Sequence, residues 1–132
     1  MSETTPDILV HTEAGVRTIT FNRVDKKNSI TQRMYGALAD ALASAATDDA
    51  VRVVVFQGDA TIFSAGNDIG DFLNRQDGES LSPHSPTFRF LHTLAAFPKP
   101  LLAAVAGPAV GIGTTLLLHC DLVYAGDNAA FS

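Results

Sequence analysis

Lys99 to Asp121 reads KPLLAAVAGPAVGIGTTLLLHCD, and the interpretation of this stretch decides the fold. Pro100 opens it, an unbroken apolar run follows, Gly107-Pro108 interrupts the run, and Gly111-Ile112-Gly113 starts it again. An apolar run bounded by Gly and Pro predicts a strand covered on both faces. A glycine-punctuated turn follows, and then a helix whose first turn is near Ile112. Thr114 and Thr115 are small enough to let the helix start lie close to another backbone, and the glycines permit main chain to approach main chain. A helix start offers unpaired N–H groups and the positive end of a dipole, which suits a developing negative charge.

Other readings of the same residues compete. Leu101 to Leu118 is apolar enough to suggest a membrane helix, but it contains Gly107, Pro108, Gly111 and Gly113 and lacks flanking basic clusters. Gly111-Ile112-Gly113 lacks the third glycine of a dinucleotide fingerprint, and no acidic residue follows at the required distance. The glycines also suit plain packing contacts.

The 132 residues predict one domain, or part of one, spanning 1–132, with enough apolar content for a core. The net charge of −5 and the absence of a Lys/Arg stripe argue against nucleic acid and against an anionic membrane surface. Cys120 is the single cysteine, in an apolar run, and reads as a buried, inert thiol. The opening MSETTPD has neither a basic nor an apolar signal region, so a cytoplasmic location is expected.

Working outward, Asp7 to Val10 and Val16 to Phe21 alternate around Glu13-Ala14-Gly15, which predicts a hairpin with Ile8, Val10, Val16, Ile19 and Phe21 in the core. The loop from Asn22 to Asn28 carries the densest positive charge. It is either a solvated turn or a contact surface for a phosphate-bearing ligand. A helix over about Thr31 to Ala46 follows, with Met34, Leu38, Ala41, Leu42 and Ala45 on one face. Thr31 is its candidate N-cap, with a Ser29/Gln32 capping box as the alternative. Val51 to Phe56 reads as a strand buried on both faces.

After that strand, Ser64-Ala65-Gly66 repeats the logic of the first stretch: a buried strand, a turn of small residues, then a helical segment at Ile69 to Leu73. Two such turns on adjacent parallel strands would aim two backbone N–H groups at one point. Ser64 as a nucleophile is the competing reading, but it lacks the glycines of a nucleophile elbow and an evident base. Asp68 and Asp71 read either as acid–base groups or as carboxylates capping the next helix. Asn74 to Pro86 predicts a mobile surface loop or lid, and Phe88, Leu91, Leu94 and Ala95 a short amphipathic helix. His84 and His92 have no partners at ligand spacing, and His119 is expected in the core, so no metal site is predicted. Leu122 to Ala125 reads as a last strand.

Thr18-Ile19-Thr20-Phe21-Asn22-Arg23 with Asn28, then Phe63-Ser64-Ala65-Gly66-Asn67-Asp68-Ile69, Lys99-Pro100 through Gly111, and Cys120 to Ala125 together resemble the enoyl-CoA hydratase/isomerase (crotonase) family. The resemblance runs from about Ile8 onward. It implies an α/β fold, a crotonase-like spiral of strand–strand–helix units, incomplete at the C-terminus. It also implies homotrimers or hexamers when the protein is full length, and an acyl-CoA thioester as substrate with no separate cofactor. The implied chemistry is stabilisation of a thioester enolate by the N–H groups of Ala65 and Ile112. Ser64, Ala65, Gly66, Asn67, Asp68 and Ile69, with Gly111 and Ile112, would cradle the thioester, and Lys26 and Lys27 would lie near the CoA phosphates. Thr115 stands where the hydratases carry a glutamate, and a threonine cannot serve as the base that adds water. Ile112 replaces a glycine of the hydratase pattern, yet keeps its N–H. These features resemble the Δ3,Δ2-enoyl-CoA isomerase branch, whose proton-shuttling carboxylate would lie beyond Ser132. Hydration, and thioester binding or assembly without catalysis, are the alternatives.

Overall fold

The computed structural model describes residues 6–73 and 82–132. Strands β1 (Ile8–Glu13) and β2 (Val16–Phe21) form the expected hairpin, with Ile8 opposite Phe21 and Glu13 opposite Val16. Ala14 and Gly15, both at positive φ, make the two-residue turn that matches strand twist. Helix α1 (Gln32–Thr47) starts where the Thr31 side chain accepts the Met34 N–H, so Thr31 is the cap. Strand β3 (Val53–Gln57) runs parallel to β2, β4 (Leu101–Val105) parallel to β3, and β6 (Leu122–Ala125) parallel to β4. The sheet order is β1-β2-β3-β4-β6. Short strands β5 (Pro108–Ala109) and β7 (Ala130–Phe131) pair separately. Helices α2 (Ile69–Leu73), α3 (Pro86–Ala95) and the single turn α4 (Ile112–Thr115) complete the order.

The core lies between the sheet and the α1–α3 pair. Ile19, Phe21, Val54, Phe56, Leu101, Ala103 and Val105 meet Met34, Tyr35, Leu38, Leu42, Phe90 and Leu94 there. Lys99 closes the C-terminal end of α1, where its ammonium donates to the carbonyls of Ala45, Asp48 and Val51 at 2.6, 2.8 and 2.7 Å. These carbonyls would otherwise lack partners.

Several expectations are corrected. Neither β3 nor β4 is buried on both faces: Val54 and Phe56 are buried while Val53 and Val55 are only partly so, and Ala104 is exposed between buried Ala103 and Val105. Their apolar runs reflect a parallel sheet, but the described residues cover only one side of it. Val10 is exposed, since only Ile8 of the edge strand β1 is buried, and Val16 is only half-buried. The helix after Gly111 is one turn long and continues as a 3-10 turn (Leu116–His119), which leaves His119 exposed instead of in the core. On α3 the buried positions are Phe90 and Leu94, and Phe88 is only partly covered. Of the loop expected over Asn74 to Pro86, residues 74–81 lie outside the described residues. Among the described residues no helix is long and apolar enough to cross a membrane.

Candidate functional site

The two small-residue turns meet backbone to backbone. The N–H groups of Phe63 and Ser64 both donate to the Pro108 carbonyl, at 3.0 and 3.3 Å, and the Val110 N–H donates to the Ser64 carbonyl at 2.9 Å. Ser64 and Ala109 thereby form a parallel bridge between the turns. Glycine is required at this seam. A Cβ on Gly113 would lie 2.7 Å from the Ser64 carbonyl oxygen, and one on Gly66, at φ +89°, 2.8 Å from that of Val110. The close approach that the glycines predict is therefore real. Phe63 anchors the turn from below, its ring edge-on to Phe21 with centroids 5.4 Å apart.

A third segment, 23–30, docks on the same turn. The Ile30 N–H donates to the Gly66 carbonyl at 2.8 Å and the Asp68 N–H to the Ile30 carbonyl at 3.0 Å. Asn28 is fully buried at φ +56°. Its amide donates to the carbonyls of Ile62 and Phe63, and its Oδ1 accepts the Arg23 N–H at 2.7 Å. Ser64 is fully buried too. Its hydroxyl donates to the Asn28 carbonyl at 2.8 Å and accepts the Gly66 N–H at 3.1 Å. Ser64 is thus committed to holding the turn, which disposes of the nucleophile reading.

The backbone donors differ in availability. The Ile112 N–H has no acceptor among the described residues, whereas the Gly111 N–H donates to the Ser132 carbonyl at 3.0 Å. The Ala65 N–H donates to the Lys27 carbonyl at 3.0 Å, because Lys27, at φ +56°, turns that carbonyl inward. One expected donor is open and the other is held by the neighbouring loop. With α4 reduced to one turn, the summed helix dipole at Ile112 is small, and the individual N–H matters more.

Asp68 resolves to the capping reading, with an ion pair added. Its Oδ1 accepts the Asp71 N–H at 2.8 Å at the start of α2, and its Oδ2 lies 2.6 Å from the Arg23 guanidinium. The hydrogen bond from Arg23, followed by that from the Asp71 N–H, holds the Asp68 carboxyl down to about 2. Such a group stays ionised at neutral pH and is a poor proton shuttle. Asp71 accepts the Gln32 N–H at 3.0 Å. Lys26 and Lys27 are exposed and have no carboxylate partner among the described residues. Asn67 is exposed, and its Oδ1 accepts the hydroxyl of buried Tyr35. Ile69 is exposed as well. Beside them a cleft of about 160 Å³ is lined by Ile30, Asn67, Phe72 and Phe88, among others. Cys120 is half-buried, and burial, with Asp121 adding, pushes its thiol up to about 11, in keeping with an inert thiol. Among the described residues no cluster of metal-ligating side chains occurs.

Of the expected site residues, the structure brings together Ser64, Ala65, Gly66, Gly111 and Ile112 at the seam, with Asn67 and Asp68 continuing from it. Lys26 and Lys27 ride on the docked loop. Arg23 and Tyr35 were not foreseen as site residues. Arg23 sits in a basic loop that reads as either a solvated turn or a contact surface for a phosphate-bearing ligand, and Tyr35 on a helix that reads as core.

A sheet that is parallel apart from its β1–β2 hairpin, with a site built from main chain at two abutting strand-to-helix turns, defines the class: a crotonase-like α/β protein. The enoyl-CoA hydratase/isomerase family model matches residues 11–132, and the chain belongs to that family. It is 47% identical to enoyl-CoA delta isomerase 2 of Rattus norvegicus over 94% of this chain and 32% of that protein. It is 42% identical to the peroxisomal enoyl-CoA delta isomerase 3 of Mus musculus over 95% of this chain and 40% of that protein. Among solved structures, Pseudomonas aeruginosa OdaA superposes with a TM-score of 0.91 at 50% identity, covering 97% of this chain and 51% of that chain. The chain thus spans about a third to a half of the length of these relatives.

Proposed function

We propose that this chain supplies the thioester-binding half of an enoyl-CoA isomerase. The observation that carries the reading is the seam of Ser64–Gly66 against Val110–Gly113, with the Ile112 N–H unengaged at its edge. A 3-enoyl-CoA thioester oxygen would accept the Ile112 N–H. It would also take the Ala65 N–H in place of the Lys27 carbonyl, so substrate binding displaces one protein hydrogen bond. The open Ile112 donor stabilises the enolate more than the ground-state carbonyl, by ~2.7–4 kcal/mol of barrier, while the Ala65 donor contributes less, because it must first leave the Lys27 carbonyl. Lys26 and Lys27, exposed beside the turn, suit the CoA phosphates. Thr115, exposed in the position of the hydratase glutamate, supports isomerisation over hydration. The proton between C2 and C4 would be moved by a carboxylate that this reading does not find among the seam residues. A homotrimer or hexamer of the full-length protein and a cytoplasmic setting belong to the same proposal, although one relative is named as peroxisomal.

Incubating the chain with a 3-enoyl-CoA, alongside calorimetric titration with coenzyme A, tests the proposal. Binding with appearance of 2-enoyl-CoA supports the isomerase reading. Binding without turnover supports the thioester-binding role that this reading shares with the second, a thioester-binding or assembly module motivated by the missing acid–base glutamate. Rapid formation of 3-hydroxyacyl-CoA would restore the hydratase reading, and failure to bind would overturn all three.

A further inference from the structure

We infer that Arg23 is a positioning residue for the thioester site: through Asp68 it locks the lysine-bearing loop onto the turn that forms the seam. The inference rests on the thioester reading above and adds the residue that sets affinity within it. The two halves of the cradle come from segments far apart in sequence, 23–30 and 64–69. Backbone hydrogen bonds at Ala65, Gly66 and Asp68 align them. Among the described residues, the one ion pair that joins them is Arg23 with Asp68, at 2.6 Å, both side chains largely shielded at 18% and 16% exposure.

The geometry is that of a clamp. One guanidinium nitrogen of Arg23 shares its two hydrogens among the Ser29 carbonyl at 3.1 Å, the Ser29 hydroxyl at 2.9 Å and Asp68 Oδ2 at 2.6 Å. The Ser29 hydroxyl donates to the same Oδ2 at 3.2 Å, while Oδ1 holds the start of α2. One carboxylate therefore fixes the loop with one oxygen and the helix with the other. Because Asp68 neutralises Arg23, the charge left open on the loop for an anion is that of Lys26 and Lys27. Their backbone positions follow from where the clamp sets the Arg23–Ser29 segment. Without the clamp, the Arg23–Ser29 segment is held to the turn only by the Asn28 and Ile30 contacts, and once substrate displaces the Lys27 carbonyl from the Ala65 N–H the lysines lose part of their fixed placement relative to the thioester.

The test is a cycle of Arg23→Ala, Asp68→Asn and the double variant, each shown to be folded by circular dichroism and titrated with coenzyme A. Asp68→Asn preserves size and a carbonyl acceptor, so it remains informative if Arg23→Ala folds poorly. Each single substitution is expected to raise Kd about tenfold, the scale of one lost charge-assisted hydrogen bond, and the double to do no more than the worse single. Lys99→Met serves as the control. It loosens the end of α1 away from the cradle and should lower Tm while leaving Kd unchanged. Singles that bind as the wild type does, or effects that multiply in the double, would overturn the clamp and leave the thioester reading standing. Absence of coenzyme A binding by the wild type would overturn that reading and the clamp with it.

Discussion

Individual side chains at this site act mainly by fixing main chain, and Asn28 does so most completely. It satisfies two carbonyls and one N–H while sitting fully buried in the left-handed region. Asn28→Ala removes these bonds from the Phe63 carbonyl and the Arg23 N–H, leaves the Ile62 carbonyl with the Asp59 N–H as its remaining donor, and loses a residue that tolerates positive φ, so it should destabilise the fold by about 3 kcal/mol in denaturant titration. Asp68 gives a pH signature. Its folded carboxyl is lowered to about 2, below the ~3.9 of an unfolded aspartate. A group depressed on folding contributes stability that is fully present above the unfolded value and lost as pH falls through the folded one. The stability gap between wild type and Asp68→Asn should therefore be constant above about pH 4 and close between about pH 4 and 2, as read by denaturation at stepped pH. A gap that persists at pH 2 would show that the Asp68 contacts act through shape alone.

The elements were legible in the sequence where the signal was local. The Ala14-Gly15 turn, the Thr31 cap and the periodicity of α1 each write their geometry into a few neighbouring residues, and the structure follows them. Burial was less legible. The apolar runs of β3 and β4 are those of a strand covered twice, but coverage depends on which other segments are present, and no pattern within a strand records that. At the site, the seam was legible because glycine at Gly66 and Gly113 marks close approach. The capture of the Ala65 N–H was not, because it depends on Lys27 adopting positive φ far away in sequence. The same glycine accounting separates two elements by prediction. Gly113→Ala places a methyl 2.7 Å from the Ser64 carbonyl, so it should push α4 off the turn, lower Tm and abolish coenzyme A binding. In α1, a Cβ on Gly36 meets nothing closer than an Arg89 nitrogen at 3.9 Å. Gly36→Ala should therefore stabilise the protein by about 0.5–1 kcal/mol, seen as a raised Tm with unchanged binding.

At the scale of the molecule, the sheet presents one face to α1 and α3 and leaves much of the other open. The registers put Val55, Leu102 and Leu122 in one row across the open face, and Gln57, Ala104 and Tyr124 in the next. Leu122 is 55% exposed and Tyr124 63% exposed, on a strand whose far edge pairs with no other strand among the described residues. Parallel sheets are ordinarily covered on both faces, and an apolar strand at an open edge is a template for association. The net charge of −5 opposes association through mutual repulsion, but salt screens that repulsion while leaving apolar contact intact or, with sulfate, strengthening it. The chain on its own is therefore expected to self-associate, with a light-scattering mass above 13.9 kDa that rises with protein concentration and with sulfate. Leu122→Glu with Tyr124→Glu removes apolar area from both rows and adds two negative charges at the edge. This double variant should hold the monomer mass over the same range, with the hairpin and α1 intact by circular dichroism. A wild-type chain that stays at 13.9 kDa at all concentrations and sulfate levels would show that the open face is not sticky enough to drive association.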